Sequence, residues 1–257
     1  MLFFYKMKVF IAGGTSGIGL ALAQCYLQQG AEVAVCGRDI SKLTNQPAYD
    51  ALIKFEVDVC NRDALADVVD SFCNHVALDL FINCTGSYAD DVAQRISYEE
   101  ASAMLRINML GTLNCFEVAS EVMRGQSKGQ IATIASVSGT LDFPNSSLYS
   151  KTKRAAIQVA DAYRRALLPY GIAVTVIAPG YVDTTKLRQL NQQDLSKKPF
   201  LISVDDAAQR ILKAIQQKKE IVIFPKRMKW LMGFLGLLPH VLLSKIMFRK
   251  AKWMKND

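Results

Sequence analysis

Short apolar runs alternate with helical patterns of apolar residues along most of this chain. Seven apolar runs predict strands, at residues 8–12, 32–36, 53–57, 78–83, 130–135, 172–178 and 220–224. Helical patterns predict helices at residues 18–29, 64–74, 98–125, 150–168 and 204–217. Strands that alternate with helices indicate βαβ units, in which helices cover both faces of a parallel sheet. The pattern therefore predicts an α/β fold with a Rossmann-like, doubly wound parallel sheet of about seven strands.

The positive charge of the chain is concentrated at its C-terminal end. The 257 residues carry 31 Lys and Arg against 23 Asp and Glu, a formal net charge of +8. Residues 1–225 are nearly neutral, with 23 basic and 22 acidic side chains, whereas residues 226–257 hold 8 basic and 1 acidic. A near-neutral body without a recognisable base-reading motif argues against a nucleic-acid-binding module. We predict one domain over residues 1–225, followed by a basic, apolar helical tail over residues 226–257.

The cysteines indicate reduced thiols. Six cysteines, at positions 25, 36, 60, 73, 84 and 115, form no C-x-x-C pair, and His75 and His240 lie far from any cysteine pair. We therefore predict neither a metal site nor a disulfide framework, as is typical of a reducing, cytoplasmic compartment. The first six residues are too short for the apolar region of a signal peptide and lead directly into the first strand.

A glycine-rich turn separates the first predicted strand from the first predicted helix. Residues 12–19 read Ala-Gly-Gly-Thr-Ser-Gly-Ile-Gly, with the spacing G-x-x-x-G-x-G. Glycines allow the backbone to approach a pyrophosphate closely, and the free N–H groups of a helix N-terminus attract it. Such a loop alone is also compatible with an ordinary turn, but its place between strand and helix predicts a dinucleotide site. The candidate contacts are Gly13, Thr15, Ser16, Gly17, Ile18 and Gly19.

The end of the second strand indicates which dinucleotide binds. Folds that bind NAD place an acidic residue here for the ribose hydroxyl, whereas an arginine pairs with the 2′-phosphate of NADP. Gly37 leaves the acidic position empty and Arg38 follows it, although Asp39 is adjacent. We expect NADP(H) rather than NAD(H), with Arg38 as the phosphate ligand. A solvated loop arginine is the alternative.

A tyrosine and a lysine stand four residues apart in the sequence Tyr149-Ser-Lys-Thr-Lys153. On a helix these two side chains share one face, whereas Lys151 points away from it. A nearby ammonium favours phenolate, so we expect Lys153 to lower the pKa of Tyr149 from about 10. Tyr149 then becomes a proton donor to a carbonyl or an acceptor from an alcohol. The spacing alone also occurs by chance on surface helices.

With these motifs the sequence resembles the short-chain dehydrogenase/reductase family, from about Lys8 to Thr184 and more weakly to Pro225. Further matches follow in the family's order. Asp58-Val59 matches the pair that contacts adenine in the family. Asn83 and Gly86 match the first and last residues of the family's N-N-A-G motif. The segment that meets the nicotinamide is matched by Pro179, Gly180, Val182 and Thr184. Ala12, Cys84 and Thr85 depart from the family's residues at positions that support the sheet and the cofactor edge.

The resemblance also implies the catalytic residues. Ser136 stands 13 residues before Tyr149, the family's spacing for its serine, and Ser138 is out of register. Ser136 is then expected to hold the carbonyl oxygen, and Tyr149 to donate the proton. Lys153 is expected to lower the pKa of Tyr149 and to hold the nicotinamide ribose. Asn108 is expected to anchor a water that links Lys153 to solvent.

The resemblance implies an oxidoreductase that interconverts a ketone and a secondary alcohol. Residues 185–203, where the family builds its substrate loop, are mixed polar and apolar and carry four basic side chains. Together with the apolar tail they favour a lipid-like or acyl substrate, such as a 3-oxoacyl thioester or a long-chain 3-keto base. A homodimer or homotetramer through the two long helices is implied too. A non-catalytic NADP-binding sensor or scaffold at a membrane is the alternative, against which the intact catalytic residues argue.

The tail combines basic clusters with an apolar run. Its longest uncharged stretch, residues 230–244, is 15 residues long, short of the roughly 20 that a spanning helix needs. Pro239 predicts a break into two short helices, and Trp230 and Trp253 lie near the two ends. This composition favours helices that lie in a membrane interface at the cytoplasmic face. A lid over the substrate cleft and a subunit contact remain open.

Overall fold

One parallel sheet forms the centre of the protein. The computed structural model describes residues 6–44, 46–89, 96–142, 146–239 and 241–246. The strands are β1 (Lys8–Ala12), β2 (Glu32–Gly37), β3 (Ile53–Glu56), β4 (Leu80–Asn83), β5 (Gly129–Ile134), β6 (Ile172–Pro179) and β7 (Ile221–Phe224). They pair in parallel in the order β3-β2-β1-β4-β5-β6-β7. The predicted fold class is confirmed, and every predicted strand end lies within two residues of the observed one.

Helices cover both faces of this sheet. They are α1 (Gly17–Gln28), α2 (Arg62–Cys73), α3 (Tyr98–Leu105), α4 (Thr112–Gln126), α5 (Leu148–Leu167), α6 (Thr185–Leu190), α7 (Val204–Gln216) and α8 (Lys226–Gly236). Two features differ from the sequence prediction. The single helix expected over residues 98–125 is α3 and α4 joined by a π-helical turn at Arg106–Gly111, and α6 was not predicted.

Alternate side chains of β1 point to opposite faces of the sheet. Val9 and Ile11 join the apolar layer that includes α1 and α7. Phe10 and Ala12 join the layer of α2, α4 and α5, where the Phe10 ring stacks 5.3 Å from that of Phe81. Because both faces are covered, β1 is buried along its whole length, which explains its uninterrupted apolar sequence.

The strand order locates the functional end of the sheet. The chain builds β1, β2 and β3 outwards in one direction and then returns to place β4 on the other side of β1. In open α/β sheets, ligands bind beyond the carboxyl ends of the strands at such a reversal. The glycine turn after β1 and Asn83 at the end of β4 both lie at this point.

The tail forms two helical stretches. Helix α8 ends at Gly236 and a second stretch covers residues 241–246, as Pro239 predicts. Met228 and Leu243 are buried, so the tail packs against the sheet domain. In the part of the chain that the structure describes, no helix is both long and apolar enough to cross a membrane. The predicted basic cluster at residues 249–255 lies outside the described residues, and the division at residue 225 stays a prediction.

Candidate active site

The glycine turn forms a cradle that side chains would fill. Gly13 has φ +75°, and a Cβ there would lie 2.9 Å from the backbone of Cys84. A Cβ at Gly19 would lie only 2.3 Å from the carbonyl oxygen of Gly13. Ser16 precedes α1 but makes no side-chain capping bond, so its side chain leaves the first N–H groups of the helix open to an anion. The turn therefore fits the pyrophosphate of a dinucleotide.

The end of β2 has no room for an acidic side chain. A Cβ at Gly37 would lie 2.8 Å from the side chain of Thr15, so the turn itself requires glycine here. Arg38 is exposed immediately after it. The Asp39 carboxylate accepts a hydrogen bond from the backbone N–H of Ser41 at 2.8 Å, and hydrogen bonding to Ser41 lowers its pKa. Asp39 is thereby held in a local turn, which leaves Arg38 as the candidate for the 2′-phosphate.

The pair predicted to contact adenine follows β3. Asp58 Oδ1 accepts a hydrogen bond from the backbone N–H of Cys60 at 2.9 Å. Val59 is buried, and its carbonyl accepts a hydrogen bond from Asn114 Nδ2 at 2.9 Å. A Cβ at Gly111 would lie 2.7 Å from Val59 Cγ2. These contacts fix the loop beside the β2 end, on the side where Arg38 lies.

Asn83 holds the loop that follows β4. It is buried, and its Oδ1 accepts hydrogen bonds from the backbone N–H and the hydroxyl of Thr85 at 3.0 and 2.6 Å. Its Nδ2 donates to the hydroxyls of Thr112 and Thr133. Asn83 thus ties the loop to both α4 and β5. The loop carries Gly86 to a place where a Cβ would lie 3.0 Å from Lys153 Nζ.

Lys153 buries its ammonium at the centre of the site. The residue is 6% exposed and Nζ donates to the carbonyl oxygen of Ile134, the last residue of β5, at 3.1 Å. Burial lowers the pKa of Lys153 to about 8, and the positive charge of Lys186 adds to this shift. The ammonium lies 5.9 Å from the centroid of the Tyr149 ring.

Tyr149 lies in the first turn of α5 beside the segment after β5. Burial raises its pKa to about 12, while a hydrogen bond with Ser136 lowers it. The expectation that Lys153 lowers this pKa is therefore wrong for the cofactor-free protein. The physical reason is that Tyr149 loses hydration and Lys153 directs its ammonium to a strand carbonyl. At neutral pH Tyr149 carries its proton.

Ser136 is the serine next to Tyr149, and Ser138 supports it. Ser136 Oγ accepts hydrogen bonds from the hydroxyl and the backbone N–H of Ser138 at 3.0 and 3.2 Å. The register argument from the sequence selected the same serine. The structure adds that Ser138 orients the Ser136 hydroxyl, a role that sequence spacing does not reveal.

Asn108 lies in the π-helical turn and is almost fully buried. Its Oδ1 accepts from the backbone N–H of Ser87 at 2.7 Å, and its Nδ2 donates to the carbonyl of Ser87 and to the hydroxyl of Thr152 at 2.9 and 3.0 Å. The side-chain amide hydrogens are thus both used by protein groups. The water anchor expected at Asn108 stays a prediction, and the side chain links the 83–87 loop to α5.

The segment after β6 forms the other wall of the cofactor cleft. Pro179 ends β6, and the N–H of Gly180 donates to the carbonyl of Phe224 at 2.8 Å. Val182 is buried. Thr184 caps α6 through its hydroxyl, and its Cγ2 lies 3.5 Å from the Cβ position of Gly17. This wall therefore contacts the glycine turn directly.

Sequence reasoning did not place three further side chains in the site. The Tyr88 ring meets that of Tyr149 edge-on with centroids 5.0 Å apart. The charge of Tyr181 contributes to the raised pKa of Tyr149. Lys186 Nζ donates to the carbonyl of Gly86 at 3.1 Å, across the cleft from α6. Tyr181 lies inside the recognised segment at residues 179–184, and Tyr88 lies two residues after the segment at residues 83–86, whereas nothing local in the sequence shows the direction of Lys186.

Among the residues that the structure describes, no group of three or more His, Cys, Asp or Glu side chains could hold a metal ion. All six cysteines are free thiols. Burial raises the pKa of Cys36 and Cys84 to about 12. These thiols are therefore protonated at neutral pH and are not nucleophiles.

Comparisons with known proteins agree with this geometry. A family model described as short chain dehydrogenase matches residues 7–195. An uncharacterized oxidoreductase of Staphylococcus aureus strain N315 is 31% identical over 215 residues, which cover 82% of this chain and 91% of the relative. An uncharacterized oxidoreductase of Staphylococcus saprophyticus is 31% identical over 181 residues, 68% of this chain and 77% of the relative.

Solved structures share the fold. A short-chain dehydrogenase from Burkholderia cenocepacia, in complex with NADP, superposes with a TM-score of 0.78 at 22% identity, covering 93% of this chain and 97% of that one. The protein ElxO with NADP bound gives 0.75 at 24% identity, covering 85% and 97%. A 3-oxoacyl-[acyl-carrier protein] reductase from Brucella melitensis gives 0.71 at 22% identity, covering 84% and 89%.

Because the Lys153 ammonium is buried, we expect its removal by substitution to make the protein more stable against unfolding. Its folded pKa, near 8, lies below the ordinary 10.5, so the cost of burying the charge applies fully below pH 8 and disappears as pH rises to 10.5. Lys153→Met should raise the free energy of unfolding of the cofactor-free protein at pH 7 by on the order of 1–3 kcal/mol. Urea unfolding at pH 7 and pH 10 measures this, and the gain should shrink at the higher pH.

The matched control is Lys151→Met, two residues earlier on the same helix and exposed. It should change stability little at either pH. A Lys153→Met protein that is less stable than wild type at pH 7, or equally stabilised at both pH values, would contradict the buried charge.

Proposed function

Because the chain belongs to the short-chain dehydrogenase/reductase family, we propose that it is an NADP(H)-dependent enzyme that interconverts a ketone and a secondary alcohol. The family match and the oxidoreductase relatives make it an NAD(P)-dependent oxidoreductase; the cofactor preference and the reacting group are the proposal. One observation supports it above the others. Ser136, Tyr149 and Lys153 converge at the sheet end beside a glycine cradle that fits a dinucleotide.

The protonation state of Tyr149 supports carbonyl reduction. The bound nicotinamide supplies a hydride to the carbonyl carbon, or takes one from the alcohol in the reverse direction. In reduction, the Ser136 hydroxyl donates a hydrogen bond to the carbonyl oxygen, and Tyr149 transfers its phenolic proton to that oxygen. A pKa near 12 keeps this proton in place at neutral pH until negative charge develops on the substrate. A turn of the Lys153 ammonium from the Ile134 carbonyl towards the Tyr149 ring, whose centroid is 5.9 Å away, would stabilise the phenolate that remains.

Asn108 acts as a positioning residue in this proposal. It links Ser87 to Thr152, one residue before Lys153, so it sets the distance between the 83–87 loop and α5. Gly86 lies between them, and a Cβ there would lie 3.0 Å from Lys153 Nζ, a tight contact that a small shift of the ammonium would relieve. Asn108 therefore contributes to catalysis by keeping Lys153 in place.

The proposed preference for NADP(H) depends on the β2 end. Arg38 is exposed, Gly37 cannot be replaced by an acidic residue without displacing Thr15, and Asp39 is bonded to Ser41. NADP is bound in the fold relatives ElxO and the Burkholderia dehydrogenase. The guanidinium of Arg38 would pair with the 2′-phosphate in a bidentate manner.

The substrate we propose is hydrophobic and lipid-like. The tail packs next to the catalytic serine segment, since Leu141 and Leu243 share one apolar cluster. An acyl substrate is named for one fold relative, the 3-oxoacyl-[acyl-carrier protein] reductase. A 3-oxoacyl thioester and a long-chain ketone both carry the carbonyl that Tyr149 and Ser136 would hold.

The rival candidate is a non-catalytic NADP-binding sensor or scaffold. A protein that only binds the cofactor has no need of a proton donor such as Tyr149 held beside Ser136. Oxidation of NADPH against a panel of ketones separates the two functions.

An apolar face on α3, α4 and α5 supports a homodimer or homotetramer. Leu105, Met109, Leu110 and Leu113 are each about two-fifths exposed there. An apolar hollow of about 180 Å³ between the helices is lined by Ala155, Ala156 and Val159 on the α5 side. We propose that this face packs against a second copy of the chain.

The tail supports a location at the cytoplasmic face of a membrane. Lys226, Arg227 and Lys229 lie exposed on α8, next to the exposed apolar side chains Trp230 and Phe234. Basic residues beside interfacial aromatic residues bind anionic lipid surfaces. We propose peripheral binding, in preference to a lid alone or a subunit contact.

Removing the phenolic hydroxyl should abolish the reaction but not cofactor binding. Tyr149→Phe should lower kcat for ketone reduction by at least about a hundredfold, because it removes the proposed proton donor. The Kd for NADPH, followed by its fluorescence, should change little. Tyr170→Phe, at the far end of α5, is the control and should behave as wild type. Turnover retained by Tyr149→Phe would refute the assignment.

Arg38→Ser tests the proposed cofactor preference. Loss of a charge-assisted bond worth about 1.5–3 kcal/mol should raise the Kd for NADPH roughly ten- to a hundredfold. The Kd for NADH, which lacks the phosphate, should stay the same. Lys213→Ser, an exposed cation on α7, controls for the change of net charge. An equal loss for both cofactors would show that Arg38 does not contact the 2′-phosphate.

Charge reversal on α8 tests membrane binding. The wild-type chain should cosediment with vesicles that contain anionic lipid and less so at high salt. Each basic residue contributes about 1 kcal/mol, so Arg227→Glu with Lys229→Glu should weaken binding by at least about thirtyfold. Lys213→Glu with Lys219→Glu changes the net charge equally and should leave binding nearly intact. Equal losses in both pairs would exclude a specific role for the tail.

A further inference from the structure

The tail has one face on the protein and one in solvent. On the inner face Met228 and Leu243 are 5% and 2% exposed, and Met232, Leu235 and Leu238 pack in the cluster of Leu243. On the outer face the exposed fractions are 79% for Trp230, 63% for Phe234, 84% for Leu237 and 70% for Val241. The tail is thus packed against the sheet domain on one side and exposes four large apolar side chains to solvent on the other.

Both anchoring points of the tail adjoin segments that flank Tyr149. Met228 Cε lies 3.4 Å from the Cβ position of Gly180, in the segment after β6. The Cβ position of Gly236 lies 3.7 Å from Leu141 Cδ2. Leu141 follows the short helix Val137–Gly139, whose capping residue is Ser136. The tail therefore bridges the catalytic serine segment and the proposed nicotinamide segment on the outside of the cleft.

The positive charge of the tail indicates which kind of partner binds its outer face. The described tail residues carry four basic side chains, Lys226, Arg227, Lys229 and Lys245, and no acidic one. A protein partner or a second copy of this chain, whose own tail has the same sign, would have to supply many carboxylates. An anionic bilayer supplies both the negative charge and the apolar layer for Trp230 and Phe234.

We infer that the tail is the membrane-facing wall of the substrate cleft, and that a long-chain ketone passes from an anionic bilayer along this wall to Tyr149. This inference rests on the proposed ketone reduction and the proposed membrane binding, and it adds the route that the substrate takes. The outer face places the tail at the level of the lipid headgroups. The inner face of the tail contacts Leu141, and its Met228 lies against Gly180. The gap between the Ser136 segment and Gly180 then faces the same membrane surface.

The test compares two ketones in the presence and absence of vesicles. One ketone is short and water-soluble, and the other has a chain of about sixteen carbons, long enough to partition into the bilayer. Vesicles are phosphatidylcholine alone, or phosphatidylcholine with phosphatidylglycerol. Anionic vesicles should lower the apparent KM for the long ketone by about tenfold or more, because enzyme and substrate share one surface. The short ketone should show no such effect.

The outer-face variant is Trp230→Ser combined with Phe234→Ser, and the control is Leu168→Ser, which removes an apolar side chain 74% exposed at the end of α5. The double variant should lose the vesicle effect and keep the wild-type kcat/KM for the short ketone, whereas the control should keep both. A vesicle effect that survives in the double variant overturns the inference.

The outcomes also separate this inference from the proposed function. Reduction of both ketones without a vesicle effect leaves the proposed function intact and overturns the membrane route. Reduction of neither ketone overturns the proposed function, and the route falls with it. Conversion of an oligomer into a smaller species by the double variant, without a vesicle effect, assigns the outer face to a subunit contact instead.

Discussion

A buried ammonium loses its hydration, and only close hydrogen-bond partners and well-placed dipoles compensate for this loss. Lys153 carries such a group, bonded to the carbonyl of Ile134 at the end of β5. The remainder of the site follows from its position. A Cβ at Gly86 would lie 3.0 Å from this ammonium, and Asn83 and Asn108 hold the loop that brings Gly86 there. Tyr149, one turn earlier on α5, shares the same poorly hydrated surroundings and keeps its proton.

The two walls of the cleft meet at the carboxyl ends of the strands. The glycine turn lies against Thr184 on the wall after β6, so these two segments are positioned together. The tail continues that wall outwards through Met228 and Gly180. The proposed lipid-like substrate would meet the outer apolar side chains of the tail before it reaches Tyr149.

Much of the fold could be predicted because it depends on local patterns. Uninterrupted apolar runs identify strands buried on both faces, and Pro239 identifies the break in the tail. The π-helical turn was not predicted because the spacing of its apolar residues fits an α-helix equally well over six residues. Helix α6 is short and mostly polar, with Thr184 as its only clear signal. The pKa of Tyr149 was predicted in the wrong direction because spacing gives the neighbour but not the burial. The partners of Asn108 lie 21 and 44 residues away in the sequence, beyond any local signal.

Isotope transfer tests the central claim most directly. NADPH that carries deuterium on the transferred position of the nicotinamide would be incubated with the enzyme and ketones of increasing chain length, and the alcohols analysed by mass spectrometry. We expect an alcohol that carries one deuterium on its carbinol carbon, with a hydroxyl proton that exchanges with water. NADPH that stays unoxidised with every ketone, or an alcohol without deuterium on that carbon, would contradict it.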